Sequence, residues 1–90
     1  AQYRPNFAEV IFRLGRALVA NGEREEGVAR LREAVRLKPA LAEAHMYLAM
    51  ALDAGGQFEE AIASYRQVLW LQPTSPEARN NLGAALEALG

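Results

Sequence analysis

Ninety residues with a formal net charge of −1 and no cysteine make one small domain with no disulfide framework and no thiolate metal site. About half of the residues are apolar and about a quarter charged, which sets the chain apart from disordered sequences, and its pI of about 5.8 argues against a nucleic-acid binder, which would carry a basic stripe. No apolar run approaches the ~20 residues needed to cross a bilayer, and no secretory signal pattern opens the chain. Arginine far outnumbers lysine and alanine is abundant, pointing to a GC-rich bacterial genome; the lack of cysteine is compatible with a cytoplasmic setting.

Along the chain, the first predicted helix runs over 7–20. Ile11, Leu14, Gly15 and Leu18 fall at i, i+3, i+4 and i+7, a single helical stripe. Asn21-Gly22 ends it, glycine being suited to the left-handed residue that closes a helix. A second helix is predicted over 24–37, opened by Glu23, Glu25 and Glu26 and closed by Arg36 and Lys38, as the helix dipole favours. Val28, Leu31, Ala34, Val35 and Leu37 supply its apolar stripe, and Pro39 stops it. The third, over 41–54, is lined by Leu48, Ala49 and Leu52 and ends at Gly55-Gly56. The fourth, over 58–71, carries Phe58, Ile62, Tyr65, Leu69 and Trp70 and ends at Pro73. The fifth, over 76–88, begins with Ser75 as N-cap, Pro76 in the first turn and Glu77 behind it.

Pro5, Pro39 and Pro73 follow one another at intervals of 34 residues. Residues 5–38 lie on 39–72 without a gap, with Leu14/Leu48, Ala17/Ala51, Leu18/Leu52, Gly22/Gly56, Glu25/Glu59 and Arg32/Arg66 identical. Leu82, Ala85, Leu86 and Ala88 begin a third copy. A fixed period in this range marks a repeat array.

The pattern resembles the tetratricopeptide repeat, a 34-residue helix–turn–helix unit. The residues that carry the resemblance are Leu14-Gly15, Leu18, Gly27, Leu31 and Pro39, then Leu48-Ala49, Leu52, Ala61, Tyr65 and Pro73, then Leu82-Gly83 and Leu86. Ile11, His45 and Arg79 stand where the family favours tryptophan, and Gly27 stands for the alanine at the helix crossing. The resemblance implies an all-α fold: a right-handed α-solenoid of antiparallel helix pairs with five helices. Repeat 1 is expected at about 8–41, repeat 2 at about 42–75 and a partial repeat 3 at about 76–90, within a single domain over 1–90. Residues 1–7 read as the tail of a preceding repeat and Gly90 matches Gly22 and Gly56, so the expectation is a piece of a longer array. Gly15, Ala49 and Gly83 are expected to be small because helices of adjacent units pass close by.

The resemblance further implies a non-catalytic scaffold that binds a partner peptide or protein segment on the concave side, which the first helix of each repeat lines. With Leu14 and Leu18 on the core side, helical geometry puts Glu9, Phe12, Arg16 and Val19 in the groove. Their counterparts are Glu43, Met46, Met50 and Asp53, with Arg13, Tyr47, Asn80 and Asn81 completing the candidate surface. Phe12, Val19, Met46 and Met50 form an apolar strip, the expected anchor for a hydrophobic partner residue. Arg16, aided by Arg13, would take an acidic group, although Glu9 also stands in position to pair with Arg13. Phe12, Tyr47 and Glu77 occupy places where family members that clamp a partner's C-terminal carboxylate carry polar or basic residues, so a receptor for chaperone tails is not expected. Asn80-Asn81 resemble the asparagines with which long arrays hold a ligand backbone, although one pair in one repeat reads more readily as solvated surface.

Nothing points to catalysis, a cofactor or a metal. His45 is the single histidine, sits on the core stripe and reads as a packed residue. Ser64 has no base near it, and no phosphate-binding glycine loop is present. Trp70 is expected to cover the end of its repeat, with partial exposure on the convex side as the alternative reading. Two further uses are self-association through the bare face of Leu82, Leu86 and Leu89, giving a homo-oligomer, and service as a substrate-recruiting segment of a larger enzyme. No nucleic acid and no membrane insertion are expected; an RNA-reading helical repeat would need a basic groove.

Overall fold

The computed structural model describes residues 6–90, so most of the expected leading tail, residues 1–5 with Pro5, lies outside the described residues. Five α-helices follow in order: α1 (Phe7–Ala20), α2 (Arg24–Leu37), α3 (Ala42–Ala54), α4 (Phe58–Leu71) and α5 (Pro76–Leu89). No strand occurs among the described residues. The helices stack in sequence into an elongated all-α solenoid of 50 × 29 × 17 Å.

Local chemistry sets the ends. Gly22 and Gly56 adopt φ of +89° and +78°, a region open to glycine at little cost. The next amides then turn back onto the helix just ended, Glu23 N–H donating to Leu18 O at 2.8 Å and Gln57 N–H to Leu52 O at 2.9 Å. These bonds satisfy carbonyls that the helix end would otherwise leave open. Ser75 Oγ accepts from the Ala78 amide at 3.2 Å, and Asn6 Oδ1 from the Glu9 amide at 3.3 Å.

The interior mixes bulky and small side chains. Leu31, Leu52, Tyr65 and Val68 are the largest side chains that are fully buried, interleaved with Ala34, Ala44, Ala49 and Ala61. In the first hairpin the crossing is glycine against glycine. A Cβ on Gly27 would lie 2.8 Å from the Gly15 carbonyl oxygen and 2.9 Å from the Val19 amide nitrogen. A Cβ on Gly15 would meet Leu31 Cγ at 2.9 Å. The close neighbour of Gly15 is therefore α2 of its own repeat, not a helix of an adjacent unit. Gly83 corrects the expectation further: nothing lies within 4 Å of its would-be Cβ.

His45 is buried, and its Nε2–H donates to the carbonyl of Pro39 at 2.8 Å. One period later, Arg79 donates to the carbonyl of Pro73 at 3.2 Å. In α3 and α5 the position where the family favours tryptophan is used here to tie the leading helix to the proline turn before it.

Four apolar residues depart from the sequence reading. Phe12, placed in the groove, is only 4% exposed, and Leu14, placed in the core, is 49% exposed. Leu48, the register mate of Leu14, is buried because α3 is held between α2 and α4; α1 packs mainly on α2 and has no helix on its other side among the described residues. Trp70 is 81% exposed and covers nothing at the end of its repeat. Its register mate, Arg36, is exposed too, so the position faces outward in both repeats. Leu37, assigned to the apolar stripe of α2, is likewise exposed at its C-terminal end.

Arg32 of α2 and Glu60 of α4 form a two-pronged ion pair that ties the two repeats on the solvent side. The hydrogen bond from Arg32 holds the Glu60 carboxyl below its ordinary value of 4.5. The pair's contribution is thus fully present above that value and is lost as pH falls through the lower folded value. Both side chains are about half-exposed, so solvent limits the contribution to under about 1 kcal/mol. Glu60→Gln should lower stability by that small amount at pH 7, and denaturant titrations repeated at successively lower pH below 4.5 should show the gap between variant and parent narrow.

Candidate interaction groove

Each leading helix presents one edge to the next leading helix, and the space between them forms two adjoining clefts. The first, of about 470 Å³, lies between α1 and α3 and is lined by Arg16, Ala17, Val19, Tyr47, Met50 and Ala54, among others. The second, of about 330 Å³, is lined by Met50, Asp53, Ala54, Tyr65 and Asn81. Met50 and Ala54 form the wall they share. Met50 is 43% exposed, an apolar side chain standing in solvent between two openings.

The first cleft has an organised polar edge. Phe12 and Tyr47 pack with ring centroids 5.6 Å apart at 57°. The Arg16 guanidinium lies over both, 5.3 Å from the Phe12 centroid and 5.7 Å from that of Tyr47. Cation–π attraction holds the arginine in place while its N–H fork stays accessible. Arg16 forms no ion pair among the described residues. Phe12 therefore serves the groove from beneath: its ring turns from solvent towards α3 and seats the arginine above it.

In the second cleft the Tyr65 hydroxyl, on α4, donates to Asp53 Oδ2 at 3.2 Å. Burial, and after it the neighbouring Asp53 carboxylate, pushes the tyrosine hydroxyl well above its ordinary value, so it remains a proton donor. Tyr65 was legible in the sequence as a core residue but not as a groove residue. The available signal was within the repeats: Tyr65 replaces Leu31 where Asp53 replaces Val19.

Of the residues proposed from sequence, Arg16, Val19, Tyr47, Met50, Asp53 and Asn81 line the two clefts. Glu9 and Arg13 pair with each other at 4.0 Å on the surface of α1. Met46 is partly buried against the core. Glu43 and Asn80 line neither cleft. The alanines Ala17 and Ala51 went unassigned as site residues, yet together with Ala54 their small size is what opens the first cleft.

Among the described residues no three His, Cys, Asp or Glu side chains converge as a metal site would require, and no helix is long and apolar enough to cross a membrane. A cleft of about 410 Å³ on the other side of the molecule, between α2 and the 55–57 turn, is edged by Arg24, Glu25 and Arg32 and lacks an apolar floor of comparable extent.

Comparison with known proteins supports this architecture. Residues 8–41 match the family described as tetratricopeptide repeat, and residues 51–90 match one described as TPR repeat. No curated protein matched the chain in sequence. Among solved structures, one described as the crystal structure of MamA protein superposes with a TM-score of 0.90 at 28% identity, over 92% of this chain and 45% of that one. Another, described as the crystal structure of MamA, does so with a TM-score of 0.88 at 28% identity, over 92% of this chain and 48% of that one. The chain thus spans about half the length of the MamA structures it resembles. Repeats of this kind are generally non-catalytic protein-interaction scaffolds. With its stacked helix pairs, its 34-residue period and both matches falling on the same type of unit, the chain belongs to the tetratricopeptide repeat family.

Proposed function

We propose that this chain is a non-catalytic scaffold that binds an extended or helical segment of a partner protein across the clefts between α1, α3 and α5. One observation carries the reading: two adjoining clefts share the half-exposed Met50, with a ring-seated arginine at the edge of the first. An apolar side chain of the partner fills the first cleft, and Arg16 takes an acidic group beside it. Methionine adapts to ligands of different shape, and a few central residues carry most of the affinity of such contacts.

Phage display of random dodecapeptides against the protein supplies the test. Peptides recovered should lose at least about tenfold in affinity to Met50→Glu and several-fold to Arg16→Glu, while circular dichroism shows both variants folded. Binders indifferent to Met50→Glu and to Val19→Asp would place the site elsewhere.

A second reading, self-association through the solenoid ends, is supported by register. Leu86 is 43% exposed where its mate Leu52 is 1% exposed, and Leu14 is exposed where Leu48 is buried. These faces are built to be covered. A monomer by light scattering across a wide concentration range would contradict self-association and leave the groove reading intact.

A further inference from the structure

The two clefts are the same cleft built twice. Arg16, Val19, Ala20 and Tyr47 around the first are related by one 34-residue period to Met50, Asp53, Ala54 and Asn81 around the second. The backbone geometry recurs, and the chemistry changes sign. Where the first cleft has a cation and an apolar wall, the second has an apolar residue and a carboxylate. Met50 closes the first as the partner of Arg16 and opens the second as its replacement.

The neighbouring charges sharpen this contrast. Near the first cleft Arg13 is engaged by Glu9, so Arg16 stands as the uncompensated charge. At the second, Asp53 gives one oxygen to the Tyr65 hydroxyl, while its Oδ1 makes no hydrogen bond among the described residues. Glu87, the next register mate of Val19 and Asp53, is exposed on α5 and adds to the negative side. Each charged group is also held: Arg16 by two rings, Asp53 by a tyrosine hydroxyl that stays protonated. Held charges discriminate between ligands better than mobile ones, because little ordering remains to be done on binding.

We propose, building on the groove reading above, that the groove is bipolar. It selects a partner segment carrying an acidic group and a basic group on either side of an apolar residue, and binds that segment in one direction only. The acid pairs with Arg16, the apolar residue packs on Met50 and the base meets Asp53. Neighbouring packed helices lie about 8–10 Å apart, so the two charges of the partner should be separated by roughly 10 Å, about three residues of extended chain.

The experiment is selection from a phage-displayed library of random dodecapeptides on three folded proteins: the parent, the charge-swapped Arg16→Asp/Asp53→Arg, and the neutral Arg16→Gln/Asp53→Asn. The parent should enrich one acid–apolar–base order at least about fivefold over its reverse. The swap should enrich the reverse order, and the neutral variant should show no preference. The neutral pair introduces no new charge and no larger side chain, so it answers the question even if the swap disturbs folding. Parent binders that depend on Met50 but show no order, or the same order on the neutral variant, overturn bipolarity and leave the groove standing. A library that yields no binder sensitive to Met50→Glu overturns the groove reading and this inference with it.

Discussion

Phe12→Ala should lower the thermal midpoint by at least about 12 °C. The side chain is 4% exposed, and truncating a buried phenylalanine costs about 3–5 kcal/mol. For a domain of this size each kcal/mol moves the midpoint by about 4–8 °C. The loss is a large part of the roughly 5–13 kcal/mol expected for ninety residues. It would also release Arg16 from one of its two rings, so any binding that depends on the arginine should weaken even at temperatures where the variant is folded. Had Phe12 stood free in the groove, the substitution would stay within about 0.5 kcal/mol of the parent. Differential scanning calorimetry separates these outcomes.

Gly27→Ala and Gly83→Ala should move stability in opposite directions. Each glycine lies inside a helix, where alanine is intrinsically better by about 1 kcal/mol. At Gly83 the added methyl meets nothing within 4 Å, so the variant should gain about 0.5–1 kcal/mol. At Gly27 the methyl would lie 2.5 Å from Val19 Cγ2 and under 3 Å from two backbone atoms of α1. The valine can rotate, but the backbone atoms cannot move without prising the helices apart. Overpacking of that kind costs about 1–3 kcal/mol and outweighs the propensity gain. Net destabilisation of up to about 2 kcal/mol is expected, with Val19 displaced at the first cleft. Chemical denaturation of both variants decides it: stabilisation by Gly27→Ala would mean that α1 and α2 cross farther apart than described.

The helices were legible in the sequence because their boundaries are local events. Gly22 and Gly56 turn left-handed, the prolines at 39 and 73 cannot continue a helix, and Ser75 caps α5. The starts and ends so read agree with the structure to within one residue, at the start of α3 and the end of α5. What covers a helix is not a local event. Leu14 and Leu48 are the same residue in the same place in the period, and only the second lies in a helix packed on both sides. The same reasoning applied to Gly15 and Gly83 gives a tight crossing in one case and open solvent in the other. Trp70 misled by its identity: bulk argued for burial, but the mate Arg36 marked the position as outward-facing.

The groove was partly legible for the same reason. Arg16, Val19, Met50 and Asp53 follow from helical geometry once the leading helices are known to share a side. Phe12 does not, because its burial depends on Tyr47 arriving from another helix and on Arg16 folding over both rings. The hydroxyl bond from Tyr65 to Asp53 joins residues on different helices, and single-helix periodicity carries no signal for it.

The most direct test of the groove is a residue-resolved footprint. Amide and methyl NMR shifts of the labelled protein, titrated with a displayed-library peptide, should move at Arg16, Val19, Tyr47, Met50, Asp53 and Asn81, with Trp70 and the 55–57 turn unmoved. Shifts gathered instead around Arg24 and Gln57, or along Leu86 and Leu89, would contradict it.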